Sequence, residues 1–150
     1  MYHALVKRIA LRNFTRVNYH DYAALLASCS PDIHHRFSGS HPLGGERHDR
    51  EALRAWFERL GRLFPDLRLQ AHDVWVKGWP HNTTVVIRWT STATLPNGAP
   101  YANHGVHIVT MRWGKATAID ANEDSQAVAD AITHLAAAGV PDATADPILS

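Results

Sequence analysis

With 150 residues, 45% apolar and 19% charged, the chain can bury a sizeable core and has the composition of an ordinary soluble globular protein. A formal net charge of +1 makes no electrostatic case for nucleic acid or an anionic membrane as partner, and no stretch approaches the roughly 20 apolar residues of a membrane span. The one cysteine, Cys29, excludes an internal disulfide framework and points to a reducing compartment, the cytoplasm, and no apolar segment follows Lys7, Arg8 and Arg12 to make a secretory signal.

Tyr2, Leu5, Val6 and Ile9 fall at helical spacing and predict a first amphipathic helix to about Phe14. Asn18 or Asp21 can cap a short second helix through Tyr22, Leu25 and Leu26, which Ser30-Pro31 stops. A short strand follows from Ile33 to Phe37. Ser38 to Arg47, rich in Gly, Ser and Pro, reads as a loop. The third helix is the clearest element. Leu53, Trp56, Phe57, Leu60, Leu63 and Phe64 repeat at i, i+3, i+4, i+7, i+10 and i+11, behind an Asp49 cap and ahead of Pro65.

From Leu67 the period drops to two. Strands are expected from Leu67 to Val76, Thr83 to Thr94, Ala102 to Trp113 and Lys115 to Asn122, with turns at Gly78–Asn82, Pro96-Asn97-Gly98 and Gly114-Lys115. Together they make a four-strand antiparallel meander. Asp124 caps a last helix that carries Val128, Ala131, Ile132 and Leu135 and ends at Gly139 and Pro141. The pattern predicts one α+β domain over residues 1–141, a curved sheet packed against N-terminal helices and enclosing a pocket, with a loosely held tail over 142–150.

Four markers stand in order along this pattern. They are Phe64-Pro65-Asp66-Leu67, the run Val85 to Thr90, the run Tyr101 to Val109 with Gly114-Lys115 behind it, and Ala121-Asn122-Glu123-Asp124 at the last helix. Over roughly Leu5 to Leu135 the chain resembles the SnoaL-like polyketide cyclases of the nuclear-transport-factor-2-like superfamily. That resemblance implies a cone-shaped α+β barrel and a homodimer through the outer sheet face. It implies neither metal nor organic cofactor, and an intramolecular aldol ring closure driven by an acid on the last strand, with histidines lining the pocket. His35 and His107 match the family's histidines. The acid position corresponds to Ala121, one residue from Asp120, and a one-residue step reverses the face of a strand. The family's Gly-Thr-His continuation is replaced by Thr92-Ala93-Thr94.

His107 shares a strand face with Asn103, Gly105 and Val109, as a pocket histidine near neutral pH or as one hydrogen-bonded across the sheet, while His104 points the other way. Asp120, between Ile119 and Ala121, is either an acid/base in an apolar pocket or an exposed carboxylate paired with Arg88 or Arg112. Glu123-Asp124 reads mostly as helix-start chemistry, with a reaction role as the lesser alternative. His107, Asp120 and His35 are the candidate catalytic residues. Trp56, Trp89, Tyr101, Asn103 and Ile119 are the candidate walls of a site for a small hydrophobic molecule, with Phe57 and Trp113 as further aromatics. Eleven histidines invite a metal, but none share the spacing of a ligand pair on one strand or helix. The readings left open are a cofactor-free cyclase or isomerase, a non-catalytic binding module, and epoxide hydrolysis, which Arg88-Trp89-Thr90 does not suit in place of Arg-x-Asp.

Overall fold

A computed structural model describes all residues from Met1 to Ser150. The helices are α1 (Tyr2–Asn18), α2 (Tyr22–Ala27), α3 (Arg50–Leu63) and α4 (Ser125–Ala137). The strands are β1 (Cys29–Phe37), β2 (Gly45–Arg47), β3 (Arg68–Trp79), β4 (Asn82–Thr94), β5 (Pro100–Arg112) and β6 (Lys115–Glu123), with a 3-10 turn at Pro141–Thr144. All six strands form one sheet in the order β2-β1-β6-β5-β4-β3. The predicted meander is present. The sheet is not wholly antiparallel, because β1 runs parallel to β6.

The inner face is written in the sequence by alternation. On β4, Thr83, Val85, Ile87, Trp89, Ser91 and Ala93 are buried while their neighbours face outward. Irregularities in register between Cys29 and His34, Ala71 and Asp73, and Thr110 and Met111 bend the sheet around the helices. The apolar stripe of α3 drives Leu53, Trp56, Phe57 and Leu63 into the concave side, and each such burial is worth about 1.5–3 kcal/mol. The Asp49 carboxylate accepts from the Ala52 amide and starts that helix.

Several boundaries differ from the sequence reading for physical reasons. α1 continues to Asn18, whose side chain both accepts from the Leu69 amide and donates to the Leu69 carbonyl, taking the place of a neighbouring strand at the edge of β3. Asp21, not Asn18, caps α2. Leu5 is half-exposed, and the buried positions of α1 are Val6 and Phe14. Ser30-Pro31 lies inside β1, where the irregular pairing tolerates a residue without an amide proton. The Gly-rich loop contains β2, which pairs His35 with Arg47.

The segment after Asp142, expected to be loosely held, is tied down. Ile148 accepts from Arg47 Nε, the Ser150 amide donates to the Glu46 carbonyl, and the His48 amide and ring both bond to Ser150. No helix is long and apolar enough to cross a membrane.

Candidate functional site

Between the concave face of the sheet and helices α1 to α4 lies a cavity of about 150 Å³. Apolar side chains make most of its wall, and Trp56, Phe57, Trp89, Tyr101, Asn103 and Ile119 all contribute, as do His35 and His107. Trp113 does not, being 75% exposed on the β5–β6 turn.

Much of the polar wall is committed elsewhere. The Trp56 indole donates to the Leu43 carbonyl. Asn103 donates to the Tyr101 hydroxyl and the Asp124 carbonyl, and accepts from the amides of His104 and Asp124. It thereby ties the start of α4 to β5, and its amide has no capacity left for a ligand.

The two histidines are arranged alike. The Trp89 indole N–H donates to His107 Nδ1 at 2.6 Å. An indole nitrogen can only donate, so Nδ1 carries the lone pair and the neutral ring holds its proton on Nε2. Burial then lowers the His107 pKa to about 4, slightly opposed by the charge of Asp120. Arg47 stands opposite His35 on β2 and lies 2.6 Å from His35 Nδ1 through Nη1. A guanidinium is also a pure donor, so His35 takes the same Nε2–H form. Burial first, then the charges of Arg47, His107 and His34, hold His35 well below the usual histidine range. Both rings line the cavity, and neither Nε2 has a partner within the protein.

Asp120 is the residue that the structure takes out of the site. It lies on the outer face of β6, 2.7 Å from Arg36 on β1, with both side chains 43% exposed. Partial burial pushes its carboxyl up, but hydrogen bonds from Arg36 and Asn122 and the charges of Arg36 and His34 outweigh it, leaving the pKa below the ordinary carboxylate value. No bulge turns Asp120 inward, since β6 pairs regularly with β5 from Ala118 through Glu123. Asp120 pairs with Arg36 rather than with Arg88 or Arg112, and Arg88 pairs with Asp73.

The same alternation brings another carboxylate in. Ile119, Ala121 and Glu123 share the inner face of β6, and Glu123 lines the cavity. Its Oε1 accepts from Ser38 Oγ at 2.5 Å, while Oε2 is buried with no partner. Burial raises the Glu123 pKa to about 7, with the Ser38 hydrogen bond and the Arg36 charge offsetting only part of the shift. Its neighbour Asp124 alone performs the helix-start role, accepting from the amides of Gln126 and Ala127.

Local register explains the space beside Glu123. Glu123 stands opposite Gly105, and His107 opposite Ala121. The acid and the imidazole are therefore diagonal neighbours, about 7–8 Å apart at their backbones, with two of the smallest residues at the other corners. Gly105 is required here. A Cβ at that position would lie 2.7 Å from Cζ2 of Trp89, whose indole must cross Gly105 to reach His107. No three His, Cys, Asp or Glu side chains come together in a way that could hold a metal ion.

A family model described as the SnoaL-like domain matches residues 10–119. The chain belongs to the SnoaL-like domain family. Solved structures share the fold at low sequence identity. TerC, co-crystallised with polyporic acid, is 22% identical with a TM-score of 0.72, over 85% of this chain and 97% of its own. An NTF2-like protein of unknown function from Burkholderia pseudomallei is 19% identical with a TM-score of 0.74, over 85% and 96%. A putative polyketide cyclase from Xanthomonas campestris is 20% identical with a TM-score of 0.54, over 73% and 82%. No curated protein matches the chain in sequence. In this SnoaL-like chain the matched segment contains His35 and His107 but ends before Glu123.

Proposed function

We propose that this SnoaL-like protein is a cofactor-independent acid/base catalyst of the cyclase or isomerase type, acting on a small hydrophobic oxygenated molecule. The observation that carries the reading is Glu123, a carboxyl with one unpartnered buried oxygen, raised to about 7, in a mostly apolar cavity. A group with that pKa can take and return a proton near neutrality. The two imidazoles act differently from a general base. Each Nδ1 is occupied by a donor, so each ring offers a fixed Nε2–H to a substrate oxygen.

In this mechanism the Glu123 carboxylate removes a proton from carbon beside a substrate carbonyl. The electron pair moves onto the carbonyl oxygen, where His107 and His35 donate. Return of the proton from Glu123 to another carbon completes an isomerisation. Attack of the enolate carbon on a second carbonyl, with the proton passing to the new alkoxide, completes an aldol closure. Asp120 has no part in either. That TerC, a fold neighbour, was co-crystallised with polyporic acid supports a small organic ligand.

Turnover of polyketide-like and steroid-like ketones by the native protein and by Glu123→Gln tests the reading. A rate that survives in Glu123→Gln removes the acid from the mechanism. A second reading is a non-catalytic binding module, favoured by the 23 hydrophobic residues among the 31 that line the cavity. Ligands that raise the melting temperature but are never turned over support it.

The outer sheet face supports a homodimer. The strand registers align Trp75, Val86 and Ile108 in one row that continues into Asp120 and Arg36. Trp75 and Ile108 are 53% and 40% exposed, an apolar centre flanked by ion pairs and suited to self-complementary pairing about a two-fold axis. A clean monomer by light scattering overturns this pairing. The free, buried Cys29 fits the reducing cytoplasm.

A further inference from the structure

Arg47 is fully buried, yet its partners are all neutral: the carbonyls of Gly44 and Ile148 and the Nδ1 of His35. Its guanidinium also lies over the Trp56 ring, 5.6 Å from the centroid. A buried cation without a counter-ion is costly, and this one is held rigidly at the back of a cavity-lining imidazole. No lysine or arginine lines the cavity itself.

We infer that Arg47 is a positioning residue that acts through His35, fixing the ring as a neutral Nε2–H donor and passing positive charge to a ligand oxygen bound there, so that the cavity prefers an enolate or phenolate to its neutral form. The inference rests on the reading that the cavity receives an oxygenated molecule. The carbonyls of Gly44 and Ile148 aim the guanidinium, and the β1–β2 register sets it opposite His35. A cation placed behind an imidazole opposes protonation of that ring and polarises its remaining N–H. Among the charges near His35, that of Arg47 acts most strongly; β6 sets Ile119 beside the ring and carries the Glu123 carboxyl four residues further along the same inner face. β2 presents Arg47, β5 presents the neutral His107, and β1 carries His34 on the opposite face. α3 packs Trp56 and Phe57 against the ring, and neither titrates.

The test uses imidazole nitrogen NMR of the full chain between about pH 5 and pH 9, together with 4-nitrophenol as a ligand whose phenolate is seen by its visible absorption. In the native protein His35 is expected to stay neutral with its proton on Nε2, and bound 4-nitrophenol to be enriched in phenolate. Arg47→Met should give mixed His35 tautomers that become protonated at the acid end, and the bound phenolate-to-phenol ratio should fall about tenfold, equivalent to one pKa unit. Arg47→Gln keeps an N–H donor without the charge. It should retain the tautomer and lose the phenolate preference, and it decides the matter if Arg47→Met does not fold. Arg47→Lys should restore part of both.

A native His35 that protonates within the range, or an Arg47→Gln protein with an unchanged phenolate ratio, overturns the inference. Failure of 4-nitrophenol to bind the native protein strikes instead at the reading of the cavity, and the tautomer measurement still judges Arg47.

Discussion

The two faces of β6 carry two carboxylates three residues apart, and they live in opposite surroundings. Asp120 looks outward, pairs with Arg36, and is held below the usual carboxylate range. Glu123 looks inward, keeps one oxygen unpartnered, and is pushed up to about 7. Residue type and position along the chain barely distinguish them. Strand parity does, because it decides which carboxyl meets an arginine and which meets an apolar wall. An acid on the last strand is thus available to this protein, but two positions beyond the place that the family resemblance assigns to it.

Neutralising each carboxylate in turn separates the roles of the two faces. Glu123→Gln should lower kcat on a ketone substrate by about 10²–10⁴-fold, the range general acid/base groups contribute. Asp120→Asn should change kcat by less than about threefold. Equal losses would mean that the two faces are not functionally distinct.

Gly105→Ala tests the space in front of the acid. The added Cβ would meet Trp89 and the Asn122 carbonyl at 2.7 and 2.3 Å, which should cost about 1–3 kcal/mol in denaturant unfolding and displace the indole from His107.

Titration supplies an effect of similar size. The folded Glu123 value of about 7 lies above its ordinary 4.5, so the native state holds that proton more tightly than the unfolded chain. The resulting stability is complete below the ordinary value and is lost as the pH rises through about 7. Allowing for solvent screening, Glu123→Gln should gain about 1–3 kcal/mol relative to the native protein between pH 5 and pH 8. Unfolding at the two pH values reads this directly, and a parallel pH dependence in both proteins would mean that Glu123 is not buried as a carboxylic acid.

The smallest effect is expected at the outer pair. With both partners 43% exposed, Arg36→Met should cost no more than about 1 kcal/mol. The Asp120 contribution runs the other way with pH, present above the ordinary carboxylate value and lost as the pH falls below it through the depressed folded value.

The fold was legible because long periodic stretches dominate it. The α3 stripe ahead of Pro65 and the alternation of β4 each fix an element and its buried face. The three residues of β2 carry too little pattern to read, and the pairing of β1 with β6 links distant segments that no local signal connects. Of the candidate site, the places of His35, His107 and the aromatic side chains on the cavity wall were legible from face and resemblance. Glu123 was also readable, since the step from Ile119 through Ala121 to Glu123 keeps one parity. It was obscured because it adjoins the helix-capping Asp124, which invites a shared explanation for both. Arg47 could not be found that way. A guanidinium in a Gly-rich loop reads as solvated, and only the folded chain shows the carbonyls and the imidazole that take it out of water.

The parallel ladder between β1 and β6 also bears on how this protein acquires its site in time. The hairpins β3–β4, β4–β5 and β5–β6 close over short turns, whereas Arg36 and Phe37 meet Asp120 and Ala121 only across most of the chain. Loop-closure entropy places such a pairing late among the folding events. His35 and Glu123 arrive on opposite sides of that seam. During synthesis the meander can therefore assemble with His107 and Glu123 in place and His35 still outside it, and the cavity wall is complete only when the first strand docks against the last.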